Sequence, residues 1–259
     1  MRAMVLIFAQ KMDVANRRGT LSGNSQLNHY LHINLNIFKM TKSILVCIIF
    51  NCCCFVSFGQ KSLDGIKKEY DSLTKNTIYG NNPNTGKYYN IRGFKMYCET
   101  YGEGAPLLLI HGNGASISTF VKQIPFFSKK YKVIVADSRN HGKSTDKLDS
   151  LSYEMMADDY AALLSQMKID SAYVLGWSDG GVNGLLLAIR HPEKVKKLVI
   201  TGANLQPDSS AVSPDVLKRV TKTYNMFEKM FSGKEAKTPL DSIVYKYIRL
   251  LVEQPNIAV

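Results

Sequence analysis

The segment around Ser178 constrains the fold more than any other part of the chain. Residues 171–175 form a strand-like apolar run, and residues 182–189 form an apolar run of helical character that ends at His191-Pro192. The residues that join them read Gly176-Trp177-Ser178-Asp179-Gly180. Glycines two positions before and two positions after a serine permit a very tight backbone turn. The pattern therefore predicts a strand, a sharp turn and a helix, with the serine hydroxyl lifted out of the sheet.

The surrounding sequence repeats this alternation of strands and helices. Continuous apolar runs of the kind found in strands covered on both faces occupy residues 106–110, 131–136 and 197–201. Helices are predicted over residues 119–127, with a break near Pro125, and over residues 152–167, where Ser152 is placed to cap the first turn. Two shorter strands, residues 88–91 and 95–101, flank Arg92-Gly93 and predict a hairpin. The fold class is α/β, with a mostly parallel sheet and helices on both faces.

The first 86 residues carry targeting features and little sign of a folded core. Residues 40–59 have a basic start, an apolar stretch and the small residues Ser57 and Gly59 before Gln60, which is typical of a secretory signal peptide. We therefore expect export to the periplasm or beyond, although an uncleaved membrane anchor and a buried core segment are alternatives. Residues 1–39 would then be an upstream extension, with translation beginning at Met40. Residues 60–86 are interpreted as a polar lead-in.

Charge and cysteine content exclude several classes of function. The formal net charge is +12, but residues 1–59 hold six Lys/Arg against one Asp, and the remainder has no dense basic cluster. A solvated basic surface is therefore favoured over a nucleic-acid partner, and membrane contact is expected only through an uncleaved signal. Four of the five cysteines lie in the apolar run of residues 44–58, which leaves Cys98 alone. We predict no intrachain disulfide, no metal and no cofactor in the folded part.

Three motifs, taken in order, resemble the α/β-hydrolase superfamily across residues 88–204. They are His111-Gly112-Asn113-Gly114, Asp137-Ser138-Arg139-Asn140-His141-Gly142-Lys143-Ser144 and Gly176-Trp177-Ser178-Asp179-Gly180-Gly181. The last motif, together with His191-Pro192 downstream, is especially similar to the biphenyl-hydrolase-like and valacyclovir-hydrolase branch. The resemblance implies an α/β-hydrolase fold with residues 87–204 as its core. Enzymes of this fold that cleave haloalkanes or epoxides carry an aspartate where this chain has Ser178.

The resemblance also implies a catalytic chemistry. Ser178 would attack a carboxylic ester or small amide and form an acyl-enzyme, and the main-chain N–H groups of Asn113 and Asp179 would form the oxyanion hole. His111 would shape the oxyanion loop and not remove protons, and His141 would lie in a loop held by Asp137 and Arg139. An ordinary turn serine is the alternative interpretation of Ser178.

The sequence departs from the family pattern after the nucleophile. The family order is nucleophile, acid, histidine, but the only downstream histidine is His191, about four helical turns from Ser178. Residues 205–259 instead predict a helical lid, with helices over residues 213–233 and 238–251. We interpret the chain as a fragment that lacks the last strands, the acid and the histidine, and we expect it to be nearly inactive.

This interpretation gives one structural expectation, and one alternative function stays open beside it. The strand at Leu198-Val199-Ile200 should be an unprotected apolar edge, because the strands that would follow it in the family are missing. In place of an exported serine hydrolase, the chain could be a non-catalytic, hydrolase-like binding or remnant domain. An in-frame, histidine-bearing continuation after codon 259 would favour the enzyme.

Overall fold

A computed structural model describes residues 4–7, 63–146, 150–232 and 239–257. The predicted signal segment, residues 40–59, lies outside these ranges. Backbone contacts divide the chain into two units, Met1–Gln10 with Leu73–Val259 and Lys11–Ser72. Within the described ranges, no helix combines the length and the apolar character needed to cross a bilayer.

Helix α1 (Leu63–Lys75) lies where the sequence was interpreted as a polar lead-in. The sequence analysis assigned no secondary structure to this polar segment. Leu63, Ile66, Tyr70 and Leu73 recur at the spacing of an amphipathic helix, and most of the other positions of α1 are charged or polar.

Seven strands form one sheet. They are β1 (Met4–Ile7), β2 (Lys87–Ile91), β3 (Phe94–Tyr101), β4 (Ala105–Ile110), β5 (Tyr131–Ala136), β6 (Ala172–Trp177) and β7 (Val195–Thr201), in the spatial order β1-β7-β6-β4-β5-β3-β2. Neighbouring strands from β1 to β5 pair in parallel, whereas β3 is antiparallel to both β5 and β2. The predicted hairpin and the predicted, mostly parallel sheet are confirmed.

The helices of the core are α2 (Gln123–Phe127), α3 (Tyr153–Gln166) and α4 (Asp179–Arg190). Ser152 caps α3 as predicted, because its hydroxyl accepts a hydrogen bond from the Met155 N–H at 3.1 Å. The predicted break near Pro125 was misplaced. A short 3-10 helix, Ile117–Phe120, ends before α2 begins, and Pro125 lies in the first turn of α2, where no intrahelical N–H is needed.

Alternate residues of the central strands face two separate hydrophobic clusters. Leu108, Ile110 and Ile134 belong to a cluster that also contains buried residues of α3 and α4. Their sequence neighbours Leu107 and Leu109 belong to a cluster that contains Ile117, Phe120, Ile124 and Phe127. Because successive side chains of a strand point to opposite faces, helices must cover both faces of the sheet, as the continuous apolar runs predicted.

Strand β7 does not lie at the edge of the sheet, because β1 is next to it. β1 pairs with it in parallel, with Met4 opposite Lys197 and Ile7 opposite Ile200. The expectation of an unprotected edge at residues 198–200 was therefore wrong. Four residues are too few for a membrane span, but they suffice for an edge strand because the partner strand supplies the hydrogen bonds.

Candidate active site

Ser178 occupies a one-residue turn between β6 and α4. Strand β6 ends at Trp177 and α4 begins at Asp179. Ser178 has φ 55° and ψ −127°, a conformation that costs a residue with a Cβ about 1–3 kcal/mol. Its N–H donates to the carbonyl oxygen of Thr201 at 2.8 Å, and its own carbonyl accepts from the Gly181 N–H at 2.7 Å. The half-buried serine is thus held in a strained turn by the strand and helix on either side.

The two glycines of the turn are required by close backbone approach. A Cβ on Gly176 would lie 2.2 Å from the carbonyl oxygen of Gly180, and a Cβ on Gly180 would lie 2.1 Å from the carbonyl oxygen of Ile110. Both distances are far below van der Waals contact, and both clashes are with backbone that cannot rotate away. The Gly-x-Ser-x-Gly pattern therefore lets α4 pack directly onto β6 and β4.

The loop after β4 lies against Ser178. A Cβ on Gly112 would lie 3.0 Å from Cβ of Ser178, and Gly112, Asn113 and Asp179 line one crevice. Asp179 is the first residue of α4, where main-chain N–H groups have no acceptor in the preceding helical turn. The structure thus brings the three predicted site residues, Ser178, Asn113 and Asp179, to one place.

The carboxyl group of Asp179 is buried, with 5% of the residue exposed. The Tyr153 hydroxyl donates to it at 2.6 Å. Burial raises the pKa of Asp179 to about 6, although hydrogen bonds from Tyr153, Asn113 and its own N–H act in the opposite direction. The Tyr153 contact was not predicted from sequence, because Tyr153 lies on α3 and no local pattern links it to residue 179.

None of the described histidines hydrogen-bonds Ser178. His111 accepts from the Ser138 N–H at its Nε2 atom, so its Nδ1 carries the proton that is donated to the Gly112 carbonyl oxygen. The Nδ1 atom of His141 lies 2.8 Å from the Arg139 carbonyl oxygen, and His191 binds Asp158. Burial lowers the pKa of His111 to about 3 and that of His141 to about 4. Both imidazoles are neutral structural groups, and the described residues supply no general base to Ser178.

The motif that contains Arg139 is fixed by buried charges. The Arg139 guanidinium makes two hydrogen bonds of 2.7 Å to the Asp159 carboxylate and one of 2.6 Å to Asp146. The Asp137 carboxylate accepts from the Ile117 and Lys143 N–H groups. These contacts hold the loop after β5 beside the loop after β4, which is the role that the resemblance gave to Asp137 and Arg139.

Two helices, α5 (Pro214–Ser232) and α6 (Pro239–Glu253), follow the core in the segment for which a lid was predicted. They pack on each other through stacked rings of Phe227, Phe231 and Tyr245, with Phe231 and Tyr245 centroids 4.6 Å apart. The predicted end of the first lid helix at Gly233 and the predicted cap at Thr238 lie outside the described residues.

Replacing His141 with glutamine should reduce the acid sensitivity of the fold. A histidine whose folded pKa is about 4 stabilises the fold fully above its ordinary pKa of about 6.5. This stabilisation is lost as the pH falls from 6.5 towards 4, and the part lost by pH 5 amounts to about 2 kcal/mol. We expect the difference in unfolding free energy between wild type and H141Q, measured in urea at pH 7.5 and pH 5, to shift by this amount in favour of the variant.

Other buried groups that titrate in this pH range are present in both proteins and serve as the control. His111 titrates in the same direction as His141, whereas Asp137 and Asp179, whose pKa values burial raises to about 6, titrate in the opposite direction. All three groups remain in H141Q, so their own contributions largely cancel in the difference between the two proteins. Because a charge on His141 lowers the pKa of His111, that difference reports residue 141 together with its effect on His111. An identical pH dependence in both proteins would show that His141 is not buried in its neutral form.

Among the residues that the structure describes, no group of three or more His, Cys, Asp or Glu side chains could hold a metal ion. Cys98 is buried, and burial raises the pKa of its thiol to about 12, which keeps it protonated and unreactive.

A mostly parallel sheet that carries a strained serine between a strand and a helix, beside a glycine-flanked loop, defines a class of hydrolase. The sequence pattern of the alpha/beta hydrolase fold matches residues 105–254. This match covers more than half of the chain. The chain belongs to the α/β-hydrolase family.

Curated relatives include hydrolases from bacteria and mammals. The 2-hydroxymuconate semialdehyde hydrolase of Pseudomonas sp. (strain CF600) is 32% identical over 127 residues, which cover 48% of this chain and 45% of the relative. The human serine hydrolase BPHL is 33% identical over 120 residues, which cover 44% of this chain and 41% of the relative. The chain thus spans less than half the length of these relatives.

Solved structures of similar architecture include the N-acyl homoserine lactonase AidH in complex with N-butanoyl homoserine. It is 30% identical to this chain, with a TM-score of 0.48, and the match covers 64% of this chain and 66% of that one.

Proposed function

We propose that this chain supplies the nucleophile and the oxyanion hole of a serine hydrolase that cleaves a carboxylic ester or a small amide. The observation that carries the proposal is the strained conformation of Ser178, φ 55°, at the junction of β6 and α4. A non-glycine residue keeps such a conformation only when the surrounding structure holds it there, and such strain clusters at functional sites. The turn also brings the Cβ of Ser178 within 3.0 Å of the position that a Cβ on Gly112 would take, in the loop after β4.

The proposed reaction has two steps. In the first, Ser178 Oγ attacks the substrate carbonyl carbon and its proton passes to a general base, while the N–H groups of Asn113 and Asp179 stabilise the negative oxygen. The C–O or C–N bond then breaks, and the base returns the proton to the departing alcohol or amine. In the second step water attacks the acyl-enzyme by the same route and releases the acid.

The general base and its acid partner are proposed to be groups other than the described residues. His111, His141 and His191 are each engaged by other partners. Without a histidine a serine hydrolase loses on the order of 10⁶ in turnover. We therefore propose that the 259-residue chain by itself is nearly inactive, and that the missing groups come from further sequence, as in a longer form of the protein.

Export is proposed as well. The basic start and apolar stretch of residues 40–59 are typical of a signal peptide, with a cleavage position before Gln60. N-terminal sequencing of the protein recovered from outside the cytoplasm tests this proposal, and a mature end upstream of residue 40 would contradict it.

Trapping of the acyl-enzyme tests the reaction. In a longer form of the protein that supplies the general base, we expect incubation with an activated ester such as p-nitrophenyl acetate, followed by acid quenching, to add a single acetyl group to the peptide that contains Ser178. The 259-residue chain should gain this group far more slowly. Intact-mass measurement and peptide mapping detect this adduct. Acetylation distributed over surface lysines, with none on Ser178, would argue against a nucleophilic serine.

A second candidate function is a non-catalytic binding domain with the same architecture. It is favoured by the engagement of all three described histidines away from Ser178.

Trp177, the only tryptophan in the chain, provides a probe for this function. It is 44% exposed beside Ser178, and its ring carbons lie 3.3 Å from the Cβ position of Gly112. Titration of a non-hydrolysable amide while Trp177 fluorescence is monitored would reveal this function, since binding would saturate with no acyl-enzyme formed from the matching ester.

A further inference from the structure

Tyr247 of the lid helix α6 contacts the oxyanion loop, His111-Gly112-Asn113-Gly114. The main-chain carbonyl oxygen of Tyr247 accepts a hydrogen bond from Asn113 Nδ2 at 3.0 Å. The Tyr247 ring lies 4.0 Å from the Cβ position of Gly114, and it stacks on His141 with centroids 4.3 Å apart and planes 23° apart. Its hydroxyl donates to the Asn140 carbonyl oxygen. Tyr247 therefore contacts both the loop after β4 and the loop after β5.

Through His141, the contacts of Tyr247 also reach His111 at the start of the oxyanion loop. The His141 ring, on which Tyr247 stacks, lies 5.2 Å from the His111 ring. His111 in turn binds the Gly112 carbonyl oxygen and the Ser138 N–H. The Asn113 side chain also lies close enough to Asp179, at the start of α4, to lower the pKa of its carboxyl group. The loop that carries the proposed oxyanion donor is thus held by His111 on the core side and by Tyr247 on the lid side.

The oxyanion loop needs such support because of its composition. Gly112 and Gly114 flank Asn113, and Gly114 has φ 64°, a conformation open mainly to glycine. Glycines on both sides let the loop approach Ser178, but they also leave the Asn113 peptide free to rotate unless other groups fix it. A donor contributes to oxyanion stabilisation only when it is held in place beforehand.

We infer that Tyr247 is a positioning residue, which fixes the Asn113 main-chain N–H towards the Ser178 site when α6 is docked on the core. The oxyanion hole would then be set only while the lid is in place. This inference rests on the proposed function for its catalytic meaning, but its structural part stands on the contacts of Tyr247 alone.

Amide hydrogen exchange of the 259-residue protein tests the structural part. In Tyr247→Ala we expect exchange in the segment of residues 111–116 to accelerate about tenfold, because the variant loses the ring that stacks on His141, whose own ring lies next to His111 in that segment. Tyr247→Phe keeps the ring and the main-chain carbonyl, so its exchange should match wild type. Tyr224→Ala is the matched control: it removes a tyrosine from α5 that stacks on Tyr245 of the lid and not on the oxyanion loop.

A second variant, which removes the other partner of the contact, tests the inference if Tyr247→Ala fails to fold. Asn113→Ala removes the amide that donates to the Tyr247 carbonyl, and we expect faster exchange in residues 244–250 of α6. The inference is overturned if Tyr247→Ala folds and its 111–116 segment exchanges at the wild-type rate. Unchanged exchange of residues 244–250 in Asn113→Ala would overturn it equally.

Labelling of Ser178 by a fluorophosphonate separates this inference from the proposed function. The labelling is measured in a longer form of the protein that supplies the general base. If Tyr247 positions the donor, Tyr247→Ala should lower the labelling rate constant of that form about tenfold while Tyr247→Phe leaves it unchanged. Accelerated exchange in Tyr247→Ala with no labelling of any form would sustain the positioning role and remove the nucleophile. Equal labelling of wild type and Tyr247→Ala, with equal exchange, would sustain the nucleophile and remove the positioning role.

Discussion

Substitution of Ser178 by alanine is expected to abolish covalent labelling by a fluorophosphonate probe. The probe reacts with a serine hydroxyl whose proton is removed by a base, and Ser178 is the hydroxyl held in the strained turn between β6 and α4. In a form of the protein that contains the complete catalytic set, we expect the same substitution to reduce turnover on the order of 10⁶-fold, or about 8 kcal/mol of barrier.

The measurement compares two forms of the protein, each with and without the Ser178→Ala substitution. One is the 259-residue chain, and the other is extended by whatever coding sequence follows in the same reading frame. We expect weak labelling of the first form and strong labelling of a second form that gains a histidine. Ser118→Ala is the matched control, because Ser118 is a half-buried serine whose hydroxyl pairs with Ser116 Oγ at 2.9 Å. Equal labelling of wild type and Ser178→Ala would remove Ser178 as the nucleophile.

The part of this site that lies close together in sequence could be predicted. The turn at Ser178 follows from Gly176 and Gly180, since the structure shows that a Cβ at either position would meet backbone at 2.1–2.2 Å. The alternating strands and helices follow from apolar runs, because a parallel strand must be apolar on both faces. Leu107 and Leu108 illustrate this requirement, since they are adjacent in sequence and belong to opposite cores.

Contacts between distant segments could not be predicted in the same way. Tyr153 and Asp179 are 26 positions apart and Asn113 and Tyr247 are 134 apart, and no periodicity relates either pair. The pairing of β1 with β7 was missed for a related reason. A run of four apolar residues has no feature of its own that distinguishes an edge strand from a loop, and only the open edge of a folded sheet decides between them.

The largest loss of stability is expected from substitution of Arg139 by methionine. Arg139 is 1% exposed, and its guanidinium binds Asp159, which is fully buried, and Asp146, whose side chain is 5% exposed. Removal of one partner from a buried ion pair leaves a carboxylate without the charge that offsets its desolvation, which costs about 3–5 kcal/mol. Arg92 cannot replace it, because its nearest nitrogen lies 3.8 Å from Asp159 and its side chain is 42% exposed.

An exposed pair in the same chain provides the matched control. Arg249 binds Glu253 one turn further along α6, with side chains 52% and 39% exposed. We expect Arg249→Met to cost less than about 1 kcal/mol, because water already solvates both charges. Urea unfolding followed by circular dichroism gives both free energies, and equal losses in the two variants would show that the Arg139 network contributes no more than a surface ion pair.

The loss of unfolding free energy in Arg139→Met should also depend on pH, because Asp159 can take up a proton. Burial raises the pKa of Asp159 even with Arg139 in place, and removal of the guanidinium raises that pKa further. The folded variant then binds a proton more tightly than the unfolded chain does, so its unfolding free energy rises as the pH falls towards the ordinary aspartate pKa of about 3.9. We therefore expect the gap between wild type and Arg139→Met to be smaller at pH 5 than at pH 8. A gap that did not narrow on acidification would mean that Asp159 stays ionised in the variant, with water or another cation in place of Arg139.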